Sequence, residues 1–275
     1  MSDVMMSFGK GLDSYLTKEQ IKATTPLVFA ETPTNPEVSD KYLFVNTETI
    51  IDDLAKLNWF PVQSAQRKAR KTGGTIFSKH MVSFQNPDIK ITSQDGDDAF
   101  PRILLTNSHD GMQAFKFSVG IFRLVCSNGL VVADEQFSDF KIKHKGYSFE
   151  ELRNVVRQAV EDLPNRVQVM NDMKNRILTQ EEKNQLALDA MLVRAGVKTL
   201  EYDKETIEDI LEPKRDADKG DDLWRVFNVI QEKITQGDFH AALTGAKVRK
   251  VRKIKSFEKD MKVNKELFKL ATAMI

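Results

Sequence analysis

The sequence predicts an α+β protein: an antiparallel β-rich N-terminal region followed by a helical C-terminal region. Three observations predict it. Between residues 41 and 146, short runs alternate apolar and polar residues with period two, the pattern of half-buried strands. From Ser148 onward the apolar spacing becomes helical and capping-box sequences appear. Strands first and helices after is the order of an α+β chain, not the alternation that builds a parallel sheet. The predicted divisions are a flexible arm over 1–40, a β-rich region with one short helix over 41–146, and a helical region with a basic C-terminal segment over 147–275.

In chain order, Thr25-Pro26 and Thr32-Pro-Thr-Asn-Pro36 read as loop signals within the arm. Lys41–Asn46 reads as a short strand, and Thr47–Leu57 as a helix with Ile50, Ile51, Leu54 and Leu57 on one buried face. Trp59–Arg70 begins as a strand and ends in the basic cluster Arg67-Lys-Ala-Arg-Lys71, before Thr72-Gly73-Gly74. Ile76–Phe84 is a strand whose two faces are too mixed to say which is buried. Gln94–Asp98 is acidic but lacks the twelve-residue pattern and closing glutamate of a calcium loop, and reads as a connection. Arg102–Thr106 pairs with Gln113–Val119, whose Phe115, Phe117 and Val119 share a face, through a turn at His109-Asp110-Gly111. Asn128-Gly129 turns the chain into Leu130-Val-Val, and Phe137–Lys145 sets Phe140 and Ile142 against Lys141, Lys143 and Lys145.

The helical signals are sharper. Ser148-Phe-Glu-Glu151 opens a helix with Phe149, Leu152, Val156, Ala159 and Leu163 on one face, and Pro164 kinks or splits it. Thr179-Gln-Glu-Glu182 opens another, with Gly196 as its C-cap. Thr206–Leu211 is a short helix stopped by Pro213. Leu223, Val226, Phe227, Ile230 and Ile234 define an amphipathic helix ending before Gly237, with Trp224 beside the stripe as a core residue. Lys247–Lys255 is a basic arm, charged nearly all round as a helix and poorly alternating as a strand. Glu258–Met274 closes the chain as a helix.

Asn107-Ser-His-Asp-Gly111, then Arg123, Val125, Cys126, Ser127, Asn128, Gly129 and Leu130, resemble the core of an uncharacterised phage- and plasmid-borne protein family. The resemblance continues in Leu223–Gly237 and Val263–Ala271 and covers the chain from about Tyr42 onward. It implies no activity, only a phage- or plasmid-encoded setting.

Composition excludes several classes. One cysteine leaves no internal disulfide and suits a reducing cytoplasm. No apolar run approaches the eighteen residues of a membrane span, and the N-terminus lacks a signal-peptide pattern. No phosphate-loop, dinucleotide, zinc or nucleophile-elbow motif occurs, so no cofactor and no metal are expected. A net charge of +1 hides strong patterning. Residues 54–87 hold six bases and no acid, 201–222 hold ten acids against four bases, and 240–275 hold ten bases against three acids.

That asymmetry points to nucleic acid or to charge pairing between chains. The function expected is a non-enzymatic accessory protein that binds nucleic acid, single-stranded DNA by preference, as a possible oligomer in replication or recombination. The contacts would be Arg67, Lys68, Arg70 and Lys71, the lysine face Lys141, Lys143 and Lys145, and the arm residues Arg249, Lys250, Arg252 and Lys253, with bases stacking on Phe77 or Phe137. A second reading is an assembly module in which the acidic 201–222 segment pairs with a neighbour's basic tail. A third is an enzyme using Cys126 as nucleophile, or His109 and Asp110 as an acid–base pair. An unbroken strand from Gly111 to Cys126 would hold them roughly 50 Å apart, so that reading needs a break at Gly120.

Overall fold

A computed structural model describes residues 4–8, 15–35, 37–38, 44–67, 79–92, 98–110, 115–123, 140–142, 148–199, 204–237, 239–241 and 249–275. Strands lead and helices follow, as the α+β prediction requires. Two compact units result. The described residues of Met1–Leu124 and Glu135–Asp162 form the first, and those of Leu163–Ile275 the second.

The first unit is built on a six-stranded antiparallel sheet whose spatial order is its chain order: β1 (Val4–Phe8), β2 (Phe60–Arg67), β3 (His80–Gln85), β4 (Ala99–Asn107), β5 (Phe115–Arg123) and β6 (Phe140–Ile142). Register sets Val82 opposite Leu105 and Phe84 opposite Ile103, and Leu105 in turn opposite Phe117. These side chains form one face of the core. Helix α2 (Thr47–Lys56) lays Ile50, Ile51 and Leu54 on it, and α3 (Phe149–Glu161) adds Leu152 and Val156. Every residue of β3 is buried, so both of its faces are covered. That is why its sequence shows no clean alternation: a strand without a wet face has no reason to alternate.

Three segments differ from the sequence reading. Residues read as an arm pack into the core: α1 (Lys18–Thr24), opened by a reciprocal Thr17–Gln20 capping box, buries Ile21, and the 3-10 turn Pro26–Phe29 buries Val28. The Leu16 amide donates to the Pro61 carbonyl at 2.7 Å, and the Leu27 amide to Gln66 Oε1 at 3.0 Å, tying the segment to β2. Where a strand was read over Lys41–Asn46, residues 44–46 are irregular. Asn46 instead caps α2, its Oδ1 accepting from the amides of Glu48 at 2.7 Å and Thr49 at 3.4 Å. Finally, the helix opening at Ser148 belongs with the sheet, so the division falls between Asp162 and Leu163, where α3 gives way to α4.

The second unit surrounds one helix. α4 (Leu163–Asn175), α5 (Gln180–Ala195), α6 (Lys204–Leu211) and α8 (Phe257–Thr272) all pack on α7 (Leu223–Gln236). Of the stretch Leu223–Thr235, all but Arg225 is buried, so the predicted helix is the central helix of its unit. Its polar positions are matched from outside. Arg215 grips Glu232 with two bonds of 2.6 and 2.9 Å, Lys233 meets Asp209 at 2.8 Å, and Gln231 donates to Asn264 at 2.7 Å. Trp224 is fully buried, as expected.

Candidate functional site

Two places concentrate polar chemistry, one in each unit. In the first, the β4–β5 connection turns inward. Asn107, Ser108, His109 and Asp110 are each at most 5% exposed, unlike the wet turn that Asp-Gly chemistry suggests. His80 lies opposite Asn107 across β3 and β4, and its ring is 4.8 Å from that of His109. Thr47, first residue of α2, sits between them. Its Oγ1 is 2.8 Å from His80 Nε2 and 3.3 Å from His109 Nε2, and accepts from Asn107 Nδ2 at 3.0 Å. A hydroxyl donates once and accepts twice. With Asn107 donating to it, the Thr47 hydroxyl can donate to one imidazole Nε2 and accept from the other. His80 Nδ1 has no hydrogen-bond partner among the described residues.

Burial, and secondarily the charge of neighbouring His109, holds the His80 imidazole well below its ordinary pKa, so it is neutral. Ser108 Oγ donates to Asp110 Oδ1 at 2.7 Å, and the His109 carbonyl accepts from the Thr34 amide at 2.8 Å. The cluster thus fastens α2 and the loop at Thr34 to the ends of β3 and β4. It is a polar clamp: its members are too buried to meet a substrate as they stand. The sequence reading puts His109 in a turn and leaves His80 inside the strand Ile76–Phe84, and it missed their meeting. The signal was the β3–β4 register, which sets His80 two residues from His109 across the pair. Cys126 lies outside the described residues.

In the second unit the basic arm is neither a helix nor a free tail. β7 (His240–Ala241) pairs with β8 (Arg249–Lys250), and residues 251–256 continue as a strap without regular secondary structure. Val251 and Ile254 turn inward and are buried, while Arg249, Lys250, Arg252, Lys253 and Lys255 are exposed. Two buried residues among five exposed cations leave no clear helical or strand face to read in the sequence.

Backbone bonds fix the strap. The Val251 amide donates to the Phe239 carbonyl at 2.7 Å, and the Ile254 amide to the Thr235 carbonyl at 2.8 Å. Arg194, on the last turn of α5, donates through Nη2 to the Arg252 carbonyl at 2.6 Å. Gly237 makes room for it. With φ at +78°, a Cβ there would come within 2.5 Å of the Val251 oxygen. In the first turn of α8, the Asp260 carboxyl is pushed up to about 6 by burial against the opposing pull of Lys253 and Arg194.

Two of the other predicted contacts fall at the first unit's sheet. Arg67 ends β2 and Lys141 is the middle residue of β6, with three strands between them. Lys68, Arg70, Lys71, Lys143 and Lys145, with Phe77 and Phe137, lie outside the described residues. Among the described residues no group of three or more histidine, cysteine or acidic side chains could hold a metal ion, and no helix is long and apolar enough to cross a membrane.

Comparison with known proteins gives a family without an activity. The family model described as a domain of unknown function, DUF932, matches residues 36–268. The chain is 29% identical over 266 residues to the UPF0380 protein YafZ of Escherichia coli strain K12, spanning 96% of this chain and 93% of that one. The UPF0380 protein YfjQ of the same strain is similar to the same extent. No solved structure matches. The chain belongs to the DUF932 family.

Proposed function

We propose that this member of the DUF932 family is a non-enzymatic nucleic-acid-binding protein whose main contact is the basic strap, with single-stranded DNA as its preferred target. One observation carries the reading: five exposed cations, Arg249, Lys250, Arg252, Lys253 and Lys255, stand on a backbone anchored by buried Val251 and Ile254. An anchored row of cations loses little conformational entropy on meeting phosphates, and each phosphate it neutralises releases counterions. An irregular row also suits a backbone that can follow it, which a single strand does more easily than a duplex. The resemblance to phage- and plasmid-borne proteins supports a role for such an accessory protein in replication or recombination, in the cytoplasm of a bacterial host.

The assembly reading is weaker because four of the ten acids it needs are engaged at home. Asp209 meets Lys233 at 2.8 Å, Asp218 meets Arg215 at 3.0 Å, Asp221 meets Lys183 at 2.7 Å and Asp222 meets Arg225 at 2.6 Å. Size-exclusion chromatography at low and high salt tests for a charge-held oligomer directly.

Binding of labelled single- and double-stranded DNA across a salt series tests the main reading. Replacing Arg249, Arg252 and Lys253 together by glutamine should flatten the log–log salt slope by about 2, since each phosphate contact to a single strand contributes roughly 0.7. An unchanged slope, or no binding by the native chain at low salt, sinks the proposal.

A further inference from the structure

We propose that the end of the sheet holding Lys116 is a second contact for single-stranded nucleic acid, in which Lys116 and Lys141 share one phosphate. The inference rests on the nucleic-acid reading and extends it from the strap to the first unit. Register carries it. β5 sets Lys116 directly opposite Lys141 of β6 on one side and opposite Thr106 of β4 on the other. Directly opposite residues of an antiparallel pair share a face, with Cβ atoms about 5 Å apart. Past Thr106 the row continues through Met81 of β3 and Ala65 of β2, so it contains no acid. The adjoining residues Phe117 and Leu105 belong to the core, which puts Lys116 and Thr106 on the sheet's other face, where both are half-buried. More bases stand at the same end. Two residues beyond Ala65, β2 closes on Arg67, and two residues before Met81 lies Lys79, half-buried. With strands about 4.8 Å apart, the bases from β2 to β6 cross roughly 19 Å.

Two lysines in direct opposition repel and lower the stability of a sheet. An edge strand has a use for lysine, which blocks pairing with another chain. That accounts for Lys141 on β6 but not for Lys116, because β5 lies between β4 and β6. Nor is Lys116 neutralised at home. Lys18, Lys56 and Lys90 of the same unit each meet a carboxylate within 3.0 Å, whereas Lys116 makes no ion pair among the described residues. A phosphate held between the two ammonium groups turns their repulsion into a shared attraction. The run of bases on to Lys79 and Arg67 suits a chain of phosphates better than a lone anion, and a flexible single strand can follow it.

Binding of a labelled oligothymidylate is measured by fluorescence anisotropy over a salt series. K116Q should bind several-fold more weakly than the native chain, with a log–log salt slope flatter by about 0.7, one phosphate contact fewer. K116R, which keeps the charge, should bind as the native chain does. Without DNA and at low salt, K116Q should melt no lower than the native chain, since removing one of two opposed charges relieves repulsion. Lower melting with an unchanged slope is what a purely structural lysine would give, and it overturns the proposal. A second measurement needs no variant: amine acylation of the native chain, read by mass spectrometry, should slow at Lys116 when oligothymidylate is bound. Native affinity and slope in K116Q, or acylation of Lys116 unchanged at saturating oligothymidylate, overturns the sheet contact and leaves the strap as the binding site. No binding by the native chain at low salt overturns the underlying reading and this one with it.

Discussion

Thr47 shows how much can depend on one hydroxyl. It joins His80, His109 and Asn107 in a space without exposed atoms, and a methyl in its place would leave two ring nitrogens and an amide short of a partner. Thr47→Val should cost about 2–4 kcal/mol in urea denaturation, since each buried polar group stripped of its partner costs about 1–3 kcal/mol. Thr47→Ser, which keeps the hydroxyl, should cost far less. Equal losses in the two variants would mean that packing and not hydrogen bonding holds the clamp. The sequence displayed all four residues but not their convergence. Thr47 reads as a helix start, His80 as a sheet histidine and His109 as part of a turn, each correct locally. Their meeting depends on a register and a helix approach that no local pattern carries.

Among elements, legibility followed the range of the signal. α5 was readable at both ends: the Thr179–Glu182 box forms reciprocally, and Gly196 adopts φ +73° at the C-cap. Pro164 ended α3 as its chemistry requires. The Ser148 cap formed, its side chain accepting from the Glu151 amide at 3.1 Å. Such signals act within a turn or two and survive any tertiary context. β3 was harder, because burial on both faces erases the polar face that periodicity needs. The strap was hardest, since its order comes from Thr235, Gly237, Phe239 and Arg194. Gly237→Ala would place a methyl against the Val251 carbonyl and force a positive φ on a residue that resists it. It should lower stability by at least about 2 kcal/mol and weaken DNA binding by lifting the strap. Retained stability and affinity together would show that the strap tolerates displacement.

At the scale of the whole molecule, the two units should answer acid in opposite directions. His80 has a folded pKa depressed below its unfolded value near 6.5, so its contribution is complete above that pH and is lost as pH falls below it. Asp260 has a folded value raised from 3.8 to about 6, so its contribution is complete below 3.8 and is lost as pH rises through 6. Between pH 7 and pH 5, hydrogen exchange corrected for intrinsic rates should show protection falling in the sheet unit and rising around α8. D260N should abolish the rise and leave the fall, and parallel changes in both units would contradict the assignment. The sheet carries one more consequence. Because each strand pairs with its predecessor in the chain, no strand has to be threaded between two that are already joined. A ribosome releasing this protein from its N-terminus always offers the newest strand to an open edge. β1 alone must wait, through the synthesis of two helices, for β2 to arrive.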